Sequence, residues 1–103
     1  MIIPSGAVRV LMATRPVDFR KGMDGLAALA RESLGSDPYS GVIYVFRAKR
    51  GDRVKLLLWD GNGLVLYAKR LDKGTFRWPE AGESSITLSG AQLMELLAGR
   101  EVT

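Results

Sequence analysis

The side chains that could bind a charged partner are concentrated in the middle third of this sequence. Residues 41–79 hold nine Lys and Arg against three Asp, a net charge of +6, whereas residues 1–40 carry +1 and residues 80–103 carry −3. Lys and Arg displace the counterions around nucleic-acid phosphates, so such a cluster is typical of a phosphate-binding surface. The candidate nucleic-acid-binding residues are therefore Arg47, Lys49, Arg50, Arg53, Lys55, Lys69, Arg70, Lys73 and Arg77.

The same cations have a second interpretation, in which they only keep the protein soluble. Edge strands of natural sheets often carry lysine, which prevents other strands from pairing with them. An excess of six positive charges in one segment is more than edge protection requires. We therefore favour binding of an acidic partner, with DNA as the first candidate.

Aromatic rings lie among these cations and could stack on bases or contact a protein. Trp59, Phe76 and Trp78 are the candidates for this role. Aromatic side chains are also the normal filling of a small sheet, so both interpretations stay open.

The sequence offers little for catalysis or metal binding. It contains neither cysteine nor histidine, which removes the common nucleophile, the usual general base and the commonest metal ligand. The aspartates lie in separate turns and helix starts, where aspartate normally caps or closes a turn. We therefore expect no catalytic residue, no metal and no cofactor, and predict that the protein is not an enzyme.

The elements that must position the cations are strands. Apolar and alternating patterns predict strands at residues 8–13, 42–46, 53–59 and 64–70, with a short one at 75–78. The sequence Asp60-Gly61-Asn62-Gly63 predicts a hairpin between the third and fourth of these. Alternation puts Arg53, Lys55 and Trp59 on one face, and we expect Lys69 and Arg70 beside them on a single electropositive surface.

Two helices are predicted. The first begins between residues 19 and 24 and ends at Leu34, because Gly35 suits the left-handed stop. The second begins after Ser89, which forms a capping box with Gln92. The predicted fold class is α+β: a small antiparallel β-meander sheet with one helix packed on a face and a C-terminal helix, in a single domain over residues 1–103.

The predicted location is the bacterial cytoplasm. The N-terminal residues lack the pattern of a secretion signal, and apolar runs are too short to span a membrane. The absence of cysteine agrees with a reducing compartment.

Four stretches of the sequence resemble one known family. They are DFRKGMDGLAAL (18–29), DPYSGVIYVFRAKRGDRVKLLLWDGNG (37–63), YAKRLDKGTFRWP (67–79) and LSGAQLMELLAG (88–99). Together they resemble the TnpB-type accessory proteins encoded by the second open reading frame of bacterial insertion sequences of the insertion-sequence-66 family.

The resemblance implies a mobile-element protein needed for transposition beside a separate, larger transposase. It supplies no catalytic residue. Among the family's recurrent features it adds Asp18, Arg20 and Lys21 to the candidate partner-contacting residues.

Two functions remain open at this point. In the first, the protein binds DNA at the ends of the element through the basic hairpin. In the second, it docks on the transposase, using residues 76–78 and the apolar face of the last helix, formed by Leu93, Leu96 and Leu97. A metal-dependent nuclease is a remote third possibility.

Overall fold

A five-stranded mixed sheet forms the centre of the fold in the computed structural model, which describes residues 8–80 and 82–102. The N-terminal stretch, on which the prediction of no secretion signal rests, lies mostly outside the described residues. The elements in chain order are β1 (Val10–Ala13), α1 (Met23–Glu32), β2 (Ile43–Arg47), β3 (Arg53–Trp59), β4 (Leu64–Arg70), β5 (Ser85–Leu88) and α2 (Gly90–Leu97).

The prediction of a purely antiparallel meander is wrong. The strand order is β4-β3-β2-β1-β5, and β1 pairs with β2 in parallel, with Val10 opposite Ile43. The chain leaves β1, runs through α1 and returns in the same direction, which is a crossover connection instead of a hairpin. Only β2, β3 and β4 form a meander, and β5 closes the other side of β1 as an antiparallel strand.

Both faces of the sheet are covered, so the middle strands are apolar on both sides. Val54, Leu56 and Leu58 of β3 belong to a buried cluster with Leu93 and Leu96 of α2. On the opposite face, residues of β2 and β3 pack with α1 in a second buried cluster that includes Tyr44, Phe46, Leu57, Leu26 and Ala30. Below we call these the α2 face and the α1 face of the sheet.

The two strongest local signals in the sequence are confirmed. Strands β3 and β4 form a seven-residue antiparallel ladder around the turn at Asp60–Gly63. The Asp60 side chain closes this turn by accepting hydrogen bonds from the backbone N–H groups of Asn62 and Gly63, at 3.3 and 3.0 Å. Ser89 caps α2 in a complete capping box with Gln92.

The predicted short strand at residues 75–78 does not form. The Phe76 backbone N–H and the Trp78 indole N–H both donate to the Gly51 carbonyl in the β2–β3 loop, at 3.0 and 2.9 Å. Gly51 has φ +76°, a conformation that favours glycine. The segment is therefore a loop docked on the sheet end. Within the described residues, no helix is long and apolar enough to cross a membrane.

Candidate nucleic-acid interface

Seven of the nine candidate cations gather at one end of the sheet. The end of β2, the start of β3 and the end of β4 meet there, and the Leu71 N–H donates to the Asp52 carbonyl at 2.9 Å. The docking of residues 75–78 on Gly51 brings the following loop to the same place. We call this group the basic end: Arg47, Lys49, Arg50, Arg53, Arg70, Lys73 and Arg77.

Two arginines lie directly opposite each other in the basic end. The register of β3 and β4 pairs Arg53 with Arg70, so both side chains leave the sheet on the α1 face. Like charges in this arrangement repel each other and destabilise the sheet unless an opposite charge lies near.

Within the described residues, Asp52 is the carboxylate that lies within ion-pair distance of the basic end, while Asp72 is exposed in the loop that follows β4. Asp52 lies 3.8 Å from the Arg53 Nε atom and 4.0 Å from the Arg50 Nη2 atom. Both separations exceed a normal hydrogen bond, and the buried Arg53 Nε and Asp52 Oδ1 atoms have no hydrogen-bond partner. Asp52 is shared by Arg50 and Arg53 at these distances, and Arg70 has no ion pair within the described residues, so all three arginines are incompletely neutralised.

Arg47 has a different environment on the α2 face. Its guanidinium carbon lies 5.1 Å from the centre of the Trp78 ring, a cation–π contact. Its Nε atom is buried without a hydrogen-bond partner. The Trp78 ring is in turn held by the indole bond to Gly51. Trp78 therefore positions Arg47 at the basic end and is itself only half-buried.

Lys55 is held inside the fold on the α1 face. Its ammonium group donates to the carbonyls of Phe19 at 2.6 Å and Lys21 at 3.0 Å. It also lies 4.5 Å from the centre of the Phe19 ring. These contacts fix the segment that precedes α1. They also engage the ammonium group that was predicted to bind a phosphate.

Lys69 points away from the other cations. It pairs with Val54 and so lies on the α2 face, where its ammonium group donates to the Leu97 carbonyl at 2.8 Å. The expectation that Lys69 shares one surface with Arg53, Lys55 and Arg70 is wrong. Adjacent residues of a strand point to opposite faces, so the sequence itself contained the signal that Lys69 and Arg70 must separate.

The three aromatic side chains predicted to contact a partner differ in how far they are buried. Phe76 is only 2% exposed and packs in the cluster under α2, so its ring is a core residue and not a surface offered to a partner. Trp59 is half-buried and meets the exposed Tyr39 edge to face at 5.5 Å. Trp59 and Trp78 keep a partly exposed surface.

The candidates Asp18 and Arg20 form an exposed ion pair just before α1. The Arg20 Nη2 atom lies 2.8 Å from the Asp18 carboxylate, which also accepts the Arg20 backbone N–H at 3.0 Å. The side-chain hydrogen bond from Arg20, helped by the backbone bond, lowers the pKa of Asp18 well below its usual range. Lys21, next in the chain, is exposed, and its backbone carbonyl is one of the two that hold Lys55.

Sequence reasoning missed two members of this region. Asp52 was not recognised as the shared counter-charge, although its position between Arg50 and Arg53 was an available signal. Phe19 was not recognised as the partner of Lys55, because a contact across 36 positions leaves no trace in a local pattern. Among the described residues, no group of three or more carboxylates could hold a metal ion.

These features define a class of protein: a small α+β domain that displays arginine and lysine at one sheet end. Comparison with known proteins makes the assignment specific. Residues 8–103 match the model of the family described as IS66 Orf2 like protein, and the chain belongs to that family. Membership indicates an accessory role in transposition and association with the transposition system of an insertion sequence.

Two curated relatives come from Sinorhizobium fredii. The uncharacterized protein y4jC is 46% identical over 103 residues, which cover 100% of this chain and 88% of that protein. The uncharacterized protein y4hO is 43% identical over 99 residues, covering 95% of this chain and 86% of that protein. No solved structure gives a significant match.

Proposed function

We propose that this transposition accessory protein is non-catalytic and binds duplex DNA through the phosphates, using the basic end. The observation that carries the proposal is the cross-strand pair Arg53–Arg70. Arg53 has one carboxylate, Asp52, at 3.8 Å, and Arg70 has no ion pair within the described residues, so this pair lacks a counter-charge that a phosphate would supply.

The neighbouring side chains extend this surface. Lys49, Arg50 and Lys73 are exposed, so their ammonium and guanidinium groups can reach a phosphate backbone without unfolding any element. Lys55 and Lys69 are left out of the binding surface, because their ammonium groups donate hydrogen bonds to backbone carbonyls. Phosphate contacts position a protein without reading bases, so binding is expected to differ little between element-end DNA and other duplexes.

The test is a fluorescence-anisotropy titration of the full chain at about 50 mM and about 200 mM salt. The two labelled duplexes are an element end and a shuffled sequence of equal length. The plot of log affinity against log salt concentration has a negative slope. The double substitution Arg53→Gln/Arg70→Gln is expected to make this slope shallower by about 2. The matched control Arg9→Gln/Arg31→Gln removes two exposed cations outside the basic end and should leave most of the slope. An affinity independent of salt would refute DNA binding.

A second candidate function, docking on the transposase of the same element, is favoured by a different surface. An apolar groove of about 410 Å³ runs beside α2, and Met94 at its rim is 58% exposed. Leu93 and Leu96 are buried in the core, which corrects the expectation that they form the docking surface themselves. The exposed large apolar side chain of α2 is instead Met94, with Leu97 half-buried beside the groove.

Co-purification distinguishes the two functions. After nuclease treatment, a transposase held by the groove stays bound to the wild-type chain and is lost from Met94→Gln. The same substitution should leave DNA affinity unchanged, because Met94 lies outside the basic end. Retention of the transposase by Met94→Gln would argue against this candidate.

A further inference from the structure

Strand β4 forms an open edge of the sheet. It is first in the strand order and pairs only with β3, along seven residues from Arg53–Arg70 to Trp59–Leu64. In the part of the chain that the structure describes, no other backbone hydrogen bond reaches residues 64–70. The outward N–H and C=O groups of a strand in this position can pair with another strand.

The first five residues of this edge lack the usual protection. Residues 64–68 have the sequence LVLYA, with no charge and no proline. Leu64 and Leu66 on the α1 face and Val65 and Tyr67 on the α2 face are all only partly buried. An apolar edge of this length is a surface that association would cover. The opposite edge, β5, has only four residues, and its Thr87 is exposed.

The distribution of charge selects the orientation of the partner strand. Parallel pairing of two copies would bring their basic ends together, and like charges would repel. Antiparallel pairing centred on Leu66 or Tyr67 sets Arg70 opposite Asn62 or Leu64 of the second copy. The basic end of each copy then lies beside the hairpin turn of the other, which carries Asp60.

We propose that two copies of this chain associate through their β4 strands, antiparallel and related by a two-fold axis perpendicular to the sheet. The result is a continuous ten-stranded sheet with both α2 helices on one side. A second copy fits because its own β4 supplies an edge of equal length and its turn supplies the opposite charge. If the basic end binds DNA as proposed above, the dimer carries two such surfaces that face away from each other.

Self-association is tested without DNA, so its result is independent of the proposed DNA binding. Sedimentation velocity of the full chain over a concentration series should show a monomer–dimer equilibrium. Leu66→Lys places two cations at the centre of the joined strands. The dissociation constant of the dimer should rise by at least about tenfold. The matched control Thr87→Lys adds the same charge to the other edge strand, and the dissociation constant of the dimer should stay unchanged.

A spin-label experiment locates the contact even where Leu66→Lys fails to fold. The chain has no cysteine, so Ala68→Cys and Thr87→Cys each give one label site. Across paired β4 strands the Ala68→Cys labels should lie about 8–15 Å apart, and the Thr87→Cys labels about 40 Å apart. Broadening of the first spectrum only is the expected result. A chain that stays monomeric, or broadening at Thr87→Cys instead, would overturn the proposal.

Discussion

The ammonium group of Lys55 donates to the Phe19 carbonyl at 2.6 Å and lies 4.5 Å from the centre of the same residue's ring. One side chain of β3 thus holds both the backbone and the side chain of a residue in the segment before α1. A lysine that the sequence assigns to ligand binding serves here as a structural tie between two parts of the fold.

Replacing Lys55 is therefore expected to affect stability. Lys55→Met removes two charge-assisted hydrogen bonds and leaves two carbonyls without this partner, so the free energy of unfolding should fall by about 1–3 kcal/mol. Urea denaturation followed by circular dichroism measures the change. Lys49→Met, at an exposed site of the same charge, should cost far less. Equal losses for both variants would show that the tie contributes nothing.

Gly51 is expected to be the most sensitive glycine at the basic end. Its φ of +76° favours glycine, so Gly51→Ala should lower the free energy of unfolding by about 1–2 kcal/mol. The new methyl group would meet Thr75 at ordinary contact distance, so backbone strain is the main cost. Thermal unfolding measures it. Gly90→Ala, in the first turn of α2 with open space around it, serves as control and should be neutral or stabilising.

The N-terminus of α2 depends on one hydroxyl group. Ser89→Ala removes the acceptor for the Gln92 backbone N–H, a bond of 3.0 Å, and opens the capping box. A loss of about 1 kcal/mol is expected in chemical denaturation. Ser33→Ala, at the exposed C-terminal end of α1, provides the comparison and should change stability little. A Ser89→Ala variant as stable as Ser33→Ala would contradict the capping assignment.

Asp18 should show its ion pair in a pH titration. The hydrogen bond from Arg20 lowers the pKa of this carboxyl group in the folded chain below its value in the unfolded chain. The ionised group therefore favours the folded state above the unfolded pKa, and this contribution is lost as pH falls through the folded pKa.

The carboxyl-carbon chemical shift of Asp18 is the measurement. In the wild-type chain it should remain that of the ionised form below pH about 4, where an ordinary aspartate takes up its proton. Arg20→Gln should move the transition back toward the usual range, while Arg31→Gln, on the far turn of α1, should not. An unchanged Asp18 transition in Arg20→Gln would exclude Arg20 as the cause.

Local sequence signals predicted the hairpin turn and the helix cap correctly, whereas the short strand predicted at residues 75–78 was wrong. The turn at residues 60–63 and the cap at Ser89 are set by a few neighbouring side chains, and both appear as expected. The parallel pairing of β1 with β2 was missed because it depends on a crossover through α1, which no short pattern records. The Lys69–Leu97 bond joins residues 28 positions apart and was missed for the same reason.

The candidate site was predicted in its composition and only partly in its geometry. Charge counting found the segment that forms the basic end, because net charge is a property of sequence. Charge counting did not distinguish Arg53 and Arg70, which lie opposite each other, from Lys55, whose ammonium group forms hydrogen bonds inside the fold. That separation depends on strand register and on carbonyl groups brought near by folding.

The position of β1 between β2 and β5 has a consequence for synthesis on the ribosome. This strand is made before both of its neighbours, and the second neighbour is completed only at Leu88. A nascent chain that has not yet reached Leu88 leaves one side of the Val10–Ala13 backbone unpaired. The sheet should therefore be completed long after β1 is made, and a product that stops before Leu88 should be prone to proteolysis.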